Sequence, residues 1–182
     1  MRTPLLPILL APLLLACGDD VVSYSAPVGI TLKLRSSDVG AGNAVTLSKN
    51  ITTEQGNPYG AFVNAATRAL GRPPSRIAVT YLWLELLPSS SGVADLGQVF
   101  SGQVGVGFEL AGAVYPAGVA TSPVGVSFPM AAGFDSTGLG PPAWSDLLAG
   151  FPVVLDGTAT SAFATGNDTA DLQVTIGFEA FK

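Results

Sequence analysis

The sequence predicts an all-β protein, an antiparallel β-sandwich of the immunoglobulin-like or jelly-roll-like kind. Three observations lead to this prediction. Short apolar segments alternate with polar residues at a period of two, Gly and Pro interrupt them at short intervals, and 22 Gly and 14 Pro occur in 182 residues. Helical periodicity is confined to one amphipathic stretch at about residues 57–71 and a shorter one at about 141–150.

Eight segments have strand patterns, and we expect a sandwich of seven to nine strands. In the first, Ile30, Leu32 and Leu34 alternate with polar residues, which is typical of a half-buried strand. The segment 76–87 is apolar at almost every position, with Tyr81 and Trp83 on one of its faces. This pattern predicts a central strand that is covered on both sides. The remaining segments begin near residues 43, 103, 113, 124, 151 and 171.

The predicted helix at about 57–71 has start and stop signals at both ends. Asn57 suits the N-cap position, and Pro58 suits the first helical position. Apolar side chains then recur at helical spacing until Gly71, which is followed by two prolines. The shorter helix begins at the Pro-Pro pair 141–142 and ends at Gly150.

The first sixteen residues have the pattern of a secretory signal peptide. A basic residue, Arg2, precedes an apolar stretch at 5–15. That stretch is shorter than the roughly 20 residues of a transmembrane helix, and it contains two prolines. We therefore expect export and removal of residues 1–16.

The stretch Leu14-Leu15-Ala16-Cys17 resembles the lipobox of bacterial lipoproteins. Cys17 is also the one cysteine of the sequence, and an unpaired thiol in an exported protein calls for an explanation. The resemblance implies that Cys17 carries diacylglycerol and an additional acyl chain such as palmitate. Gly18 follows the cysteine, and this resembles the pattern for sorting to the outer membrane.

These patterns divide the chain into three parts. We expect a signal peptide at 1–16, a lipidated cysteine with a short tether at 17–27, and a single β-sandwich domain at 28–182. A tether of this length reaches about 35 Å when fully extended. The implied partner is therefore a lipid bilayer, which the acylated Cys17 would hold close to the domain.

Composition excludes several classes of chemistry. The sequence has no histidine, which excludes a Ser-His-Asp triad and a histidine general base, and the single cysteine leaves no ligand set for zinc. We expect no cofactor. The formal net charge of −5 and the expected export make nucleic-acid binding implausible.

Carboxylates are the remaining candidates for catalysis. Glu85 lies in the most apolar strand, where burial would raise its pKa and suit it to act as a general acid, and Asp156 lies in another strand segment. The stretch "DSTG" at Asp135 departs from the Asp-Thr/Ser-Gly pattern of aspartic proteases by one extra residue. The competing interpretation is that Glu85 is solvated near the end of its strand, and that Asp and Gly form turns.

Two further clusters suggest binding. Arg68, Arg72 and Arg76 follow one another at spacings of four, and we expect Arg68 and Arg72 to share a helix face that meets anionic headgroups or an anionic envelope polymer. The alternative is a solvated helix end. The other cluster could offer oxygen ligands to Ca²⁺ or simply form a hairpin loop, and its residues are Asn167, Asp168 and Asp171.

Together these features favour an envelope lipoprotein whose domain is not an enzyme and presents a binding or structural surface. Another envelope protein is a further possible partner. Two alternatives stay open, because a β-sandwich hosts many functions. One is a carboxylate-based hydrolase that acts on envelope polysaccharide, and the other is a carrier of a hydrophobic ligand.

Overall fold

A computed structural model describes residues 22–182, and its architecture confirms the predicted all-β sandwich. Eight antiparallel strands form the fold: β1 (Ser23–Arg35), β2 (Ala44–Thr52), β3 (Arg76–Leu86), β4 (Phe100–Leu110), β5 (Ala113–Thr121), β6 (Ser127–Ala132), β7 (Gly150–Ala159) and β8 (Thr169–Phe181). Four α-helices accompany them: α1 (Pro58–Leu70), α2 (Leu96–Val99), α3 (Pro141–Ala149) and α4 (Ser161–Thr165). The lipobox and Cys17 lie outside the described residues.

The strands form one curled sheet in the order β1-β8-β3-β6-β5-β4-β7-β2. Only two residue pairs, Gly118↔Ala132 and Val119↔Ala131, join β5 to β6, so the sheet consists of two halves that face each other. The two edge strands also approach one another, since Lys49 Nζ of β2 donates to the Thr31 carbonyl of β1 at 3.1 Å. The result is a nearly closed sandwich.

The strand alternation predicted from the sequence fills the interior. Ile30, Leu32 and Leu34 of β1 are buried opposite Val174, Leu172 and Ala170 of β8. Phe108 lies at the centre, with ring centroids 4.8 Å from Phe134, 4.9 Å from Phe151 and 5.7 Å from Phe178. The protein's own aromatic rings therefore occupy the middle of the sandwich.

Helix α1 begins and ends where the sequence predicts. Asn57 caps it by accepting a hydrogen bond from Tyr59 N at 3.0 Å, and Gly71 ends it with φ of 71°. Its buried face contacts β8 through Tyr59, whose ring centroid lies 5.3 Å from that of Phe178. The Tyr59 hydroxyl donates to the carbonyl of Leu147 in α3, so the two predicted helices are connected through the core.

Two predictions about the strands are wrong. The sequence predicts that the tether extends to residue 27 and that the domain begins at residue 28. Instead β1 begins at Ser23, and residues 23–27 are paired with β8 as part of the sheet. β3 is central, but a bulge between Val79 and Tyr81 shifts its register. The shift places Leu82 in the core and turns Tyr81 and Trp83 outward, where they are 42% and 40% exposed. The part of β3 that follows the bulge, residues 81–86, is thus covered on one side only.

Candidate functional site

The first and last described residues, Val22 and Lys182, lie at the same end of the sandwich. The backbone N–H of Lys182 donates to the Val22 carbonyl at 3.0 Å, and Ser75 N donates to the Phe181 carbonyl at 2.9 Å. Arg76, the first residue of β3, is paired with Phe181. We call this part of the molecule the Val22 end, defined as residues 22–24, 72–76 and 181–182.

The predicted arginine cluster is divided by the structure. Arg68 is exposed in the last turn of α1, beside a shallow groove at the Glu54–Asn57 loop. Arg72 is exposed as well, but Gly71 has already ended the helix. The expectation that Arg68 and Arg72 share a helix face is therefore wrong, and Arg72 is the first residue of the segment 72–76 in the Val22 end.

Arg76 forms an ion pair with Asp135 and a cation–π contact with Phe181. Its Nη2 lies 2.6 Å from Asp135 Oδ2, its Nε lies 3.1 Å from both carboxylate oxygens, and its guanidinium carbon lies 4.3 Å from the ring centroid of Phe181. Hydrogen bonds from Arg76, and then from the Thr137 hydroxyl and backbone, hold the pKa of Asp135 well below its usual range. Asp135 therefore serves as an ionised structural partner and is unsuited to donate a proton.

The two predicted catalytic carboxylates do not meet. Glu85 is half-buried on the outer face of β3, where Ser127 Oγ donates to it at 3.4 Å, and Asp156 is exposed on β7. Three strands lie between β3 and β7 in the sheet, a path of about 19 Å at the usual strand spacing. The side chains lie on the outer faces of opposite halves, so Glu85 is not the buried acid that its apolar strand suggested.

The predicted calcium cluster has other contacts. Asp171 lies on β8 and forms an ion pair with Lys33 at 3.3 Å. A hydrogen bond from Ser89, followed by that from Lys33, lowers the pKa of Asp171. Asp168 lies instead against the backbone of Gly92 and Gly166. Within residues 22–182, no three acidic residues gather as a metal site would require.

Sequence reasoning missed an exposed surface on the outer face of β3. The Tyr81 ring lies over the backbone of β8, because a Cβ built on Gly177 would be 2.2 Å from Tyr81 Cε1. Trp83 is paired with Thr175 on one side and Pro129 on the other. Two exposed aromatic rings therefore lie side by side along one strand.

Polar side chains flank these rings on both sides. Gln173 and Thr175 stand on β8, where Gln173 Nε2 donates to Thr175 Oγ1 at 3.4 Å, and Glu85 and Ser127 stand toward β6. We name this surface the aromatic platform, consisting of Tyr81, Trp83, Glu85, Ser127, Gln173 and Thr175. The sequence contained one signal for it, since the outward positions of β8 opposite the rings hold the small residues Thr175 and Gly177.

Comparison with known proteins gives only distant structural similarity. No family model and no curated protein matches the sequence. The decameric BFDV capsid protein is 11% identical with a TM-score of 0.38, over 88% of this chain and 99% of that one. The empty head of turnip yellow mosaic virus is 9% identical with a TM-score of 0.24, over 100% of this chain and 88% of that one. Similarity at this level carries no argument about fold or function.

In the described part of the chain, no helix has the length and apolar character needed to cross a bilayer.

Proposed function

We propose that the protein is a bacterial envelope lipoprotein, anchored through acylated Cys17, whose β-sandwich is a non-enzymatic binding domain. The observation that carries the proposal is the stretch Leu14-Leu15-Ala16-Cys17 behind an apolar signal, in a sequence with no other cysteine. Several acyl chains hold a protein on a membrane stably, whereas one gives marginal binding.

The geometry of the Val22 end supports this arrangement. Val22 follows Cys17 by five positions, a reach of about 17 Å for an extended chain. An anchor at Cys17 would hold the Val22 end next to the headgroups. Arg72 is exposed in this end, and Arg68 is exposed four positions earlier, in the last turn of α1. Each such cation contributes about 1 kcal/mol near an anionic surface, whereas the charge of Arg76 is matched by Asp135.

The interior and the carboxylates favour binding over the two alternatives. Glycoside hydrolases place two carboxylates about 5–10 Å apart across one cleft, and Glu85 and Asp156 lie on opposite outer faces. A carrier needs an apolar cavity, and the rings around Phe108 fill the centre of the sandwich. A partner would therefore bind to the outer surface of the domain.

Membrane fractionation of the full-length chain tests the anchor. The unmodified sequence should sediment with membranes and incorporate labelled palmitate. Cys17→Ser should lose the label and retain residues 1–16, since the lipoprotein peptidase requires the modified cysteine. Ser23→Ala is the matched control, because it alters a hydroxyl side chain just beyond the anchor and should leave labelling unchanged. Equal labelling of the Cys17→Ser variant would contradict the proposal.

A further inference from the structure

We propose that the aromatic platform binds a neutral polysaccharide strand built from equatorially linked pyranose units. The proposal goes beyond the lipid anchor and does not depend on it. Its starting point is the exposure of Tyr81 and Trp83 at 42% and 40%, while the other aromatic side chains among residues 22–182 are buried or half-buried. Exposed aromatic surface in the middle of a sheet marks a binding surface.

The two rings are held in a row. Tyr81 rests on the backbone at Gly177, and Trp83 stands between Thr175 and Pro129. Residues two apart on a strand point to the same side at a separation of about 7 Å. The rings therefore follow one another along β3, which suits successive units of a linear polymer.

The polar groups beside the rings have spare hydrogen-bonding capacity. The bonds Gln173 Nε2 to Thr175 Oγ1 and Ser127 Oγ to Glu85 Oε1 are both 3.4 Å long, which is beyond the usual range. An amide, two hydroxyls and a carboxylate are thus available on both sides of Trp83. Sugar hydroxyl groups both donate and accept, so they match this mixed set.

Charge decides between a neutral and an anionic polymer. On β1, Lys33 is paired with Asp171 at 3.3 Å, and Lys49 of β2 donates to the Thr31 carbonyl at 3.1 Å. The charged group beside Trp83 itself is the Glu85 carboxylate, which favours a neutral strand over an anionic one. Pyranose units with equatorial linkages and hydroxyls present a flat C–H face, and these partly positive hydrogens are attracted to the negative face of an aromatic ring.

Titration of the full-length protein in detergent with chitohexaose and cellohexaose tests the proposal. Calorimetry gives the affinity, and Trp144→Phe leaves Trp83 as the single indole whose emission should change on binding. Trp83→Ala and Tyr81→Ala should each weaken binding about tenfold, as expected for loss of an aromatic contact. Val114→Ala removes an exposed apolar side chain from the other half of the sheet and should bind normally.

Several outcomes would overturn the proposal. These are no binding of either hexasaccharide at about 1 mM, equal binding by Trp83→Ala, and tighter binding of polygalacturonate than of the neutral sugars. Sedimentation of the protein as a dimer that Trp83→Ala dissociates, without sugar binding, would make this face a contact between copies. Should Trp83→Ala fail to fold by circular dichroism, Gln173→Ala provides the same test and should also weaken binding.

Discussion

Arg76 and Asp135 tie the start of β3 to a loop that is 59 positions away in the sequence. The ion pair is two-pronged, with Nη2 to Oδ2 at 2.6 Å and Nε to Oδ1 at 3.1 Å. Next to it, Ile77 N donates to Ser136 Oγ at 2.8 Å and Ser136 N donates to the Ile77 carbonyl at 2.9 Å. The pair and these bonds together fasten residues 135–137 to the Val22 end.

Asp135→Asn should lower the melting temperature at pH 7, and the loss should depend on pH. The pKa of Asp135 is depressed in the folded state below its ordinary value of 3.8. The ionised Asp135 side chain therefore contributes to the stability of the fold above pH 3.8. This contribution is lost as the pH falls through the pKa of Asp135 in the folded state. The two melting temperatures should converge in acid. Glu109→Gln, which neutralises an exposed carboxylate on β4, is the matched control, and an equal loss in both variants would contradict the prediction.

Gly177→Ala should destabilise the protein by about 1 kcal/mol or displace the Tyr81 ring, because the new Cβ would overlap Tyr81 Cε1. The same substitution in a Tyr81→Ala background should be neutral or stabilising by about 0.5 kcal/mol, since alanine restricts the unfolded chain more than glycine. Urea unfolding of the four variants in this cycle measures the coupling. Additive effects would show that the ring does not lie on Gly177.

Tyr59→Phe should cost about 1–2 kcal/mol at pH 7, because it leaves the buried Leu147 carbonyl without its hydroxyl donor. Burial also raises the pKa of Tyr59 above its ordinary value of 10.0. The protonated Tyr59 side chain therefore contributes fully to the free energy of unfolding below pH 10. This contribution declines at higher pH, because the tyrosine ionises more readily in the unfolded chain than in the folded protein. The stability gap between wild type and Tyr59→Phe should narrow from pH 9 to pH 11. Tyr115→Phe, at a half-buried tyrosine, is the control, and a constant gap would contradict the prediction.

Arg72→Glu should weaken the binding of a fragment 18–182 to anionic vesicles by about fivefold or more at low salt, since each charge near the surface contributes about 1 kcal/mol. Arg35→Glu makes the same change at the other end of β1, where Arg35 is paired with Thr169, and should have a smaller effect. Physiological salt should reduce the difference through screening. Equal weakening by both variants would show that the Val22 end has no special orientation toward the membrane.

The sequence by itself was sufficient for the strand pattern and the main helix. Ile30, Leu32 and Leu34 are buried as their alternation predicts, and α1 lies between Asn57 and Gly71 as the capping signals predict. These features depend on residues within a few positions of one another. The period of two and the capping bonds are local properties of the backbone, and burial of the apolar side reinforces them.

Tertiary structure decided the features that depend on which segments become neighbours. The bulge before Tyr81 turns that ring and Trp83 outward, although the composition of β3 is that of a strand buried on both faces. Likewise, Arg76 resembled the other arginines in sequence until folding brought Asp135 to it. Strand order and register determine these contacts. Both the order and the register follow from the packing of the whole core. Alternation within a single strand shows which residues share a face, but only the fold decides whether that face meets protein or solvent.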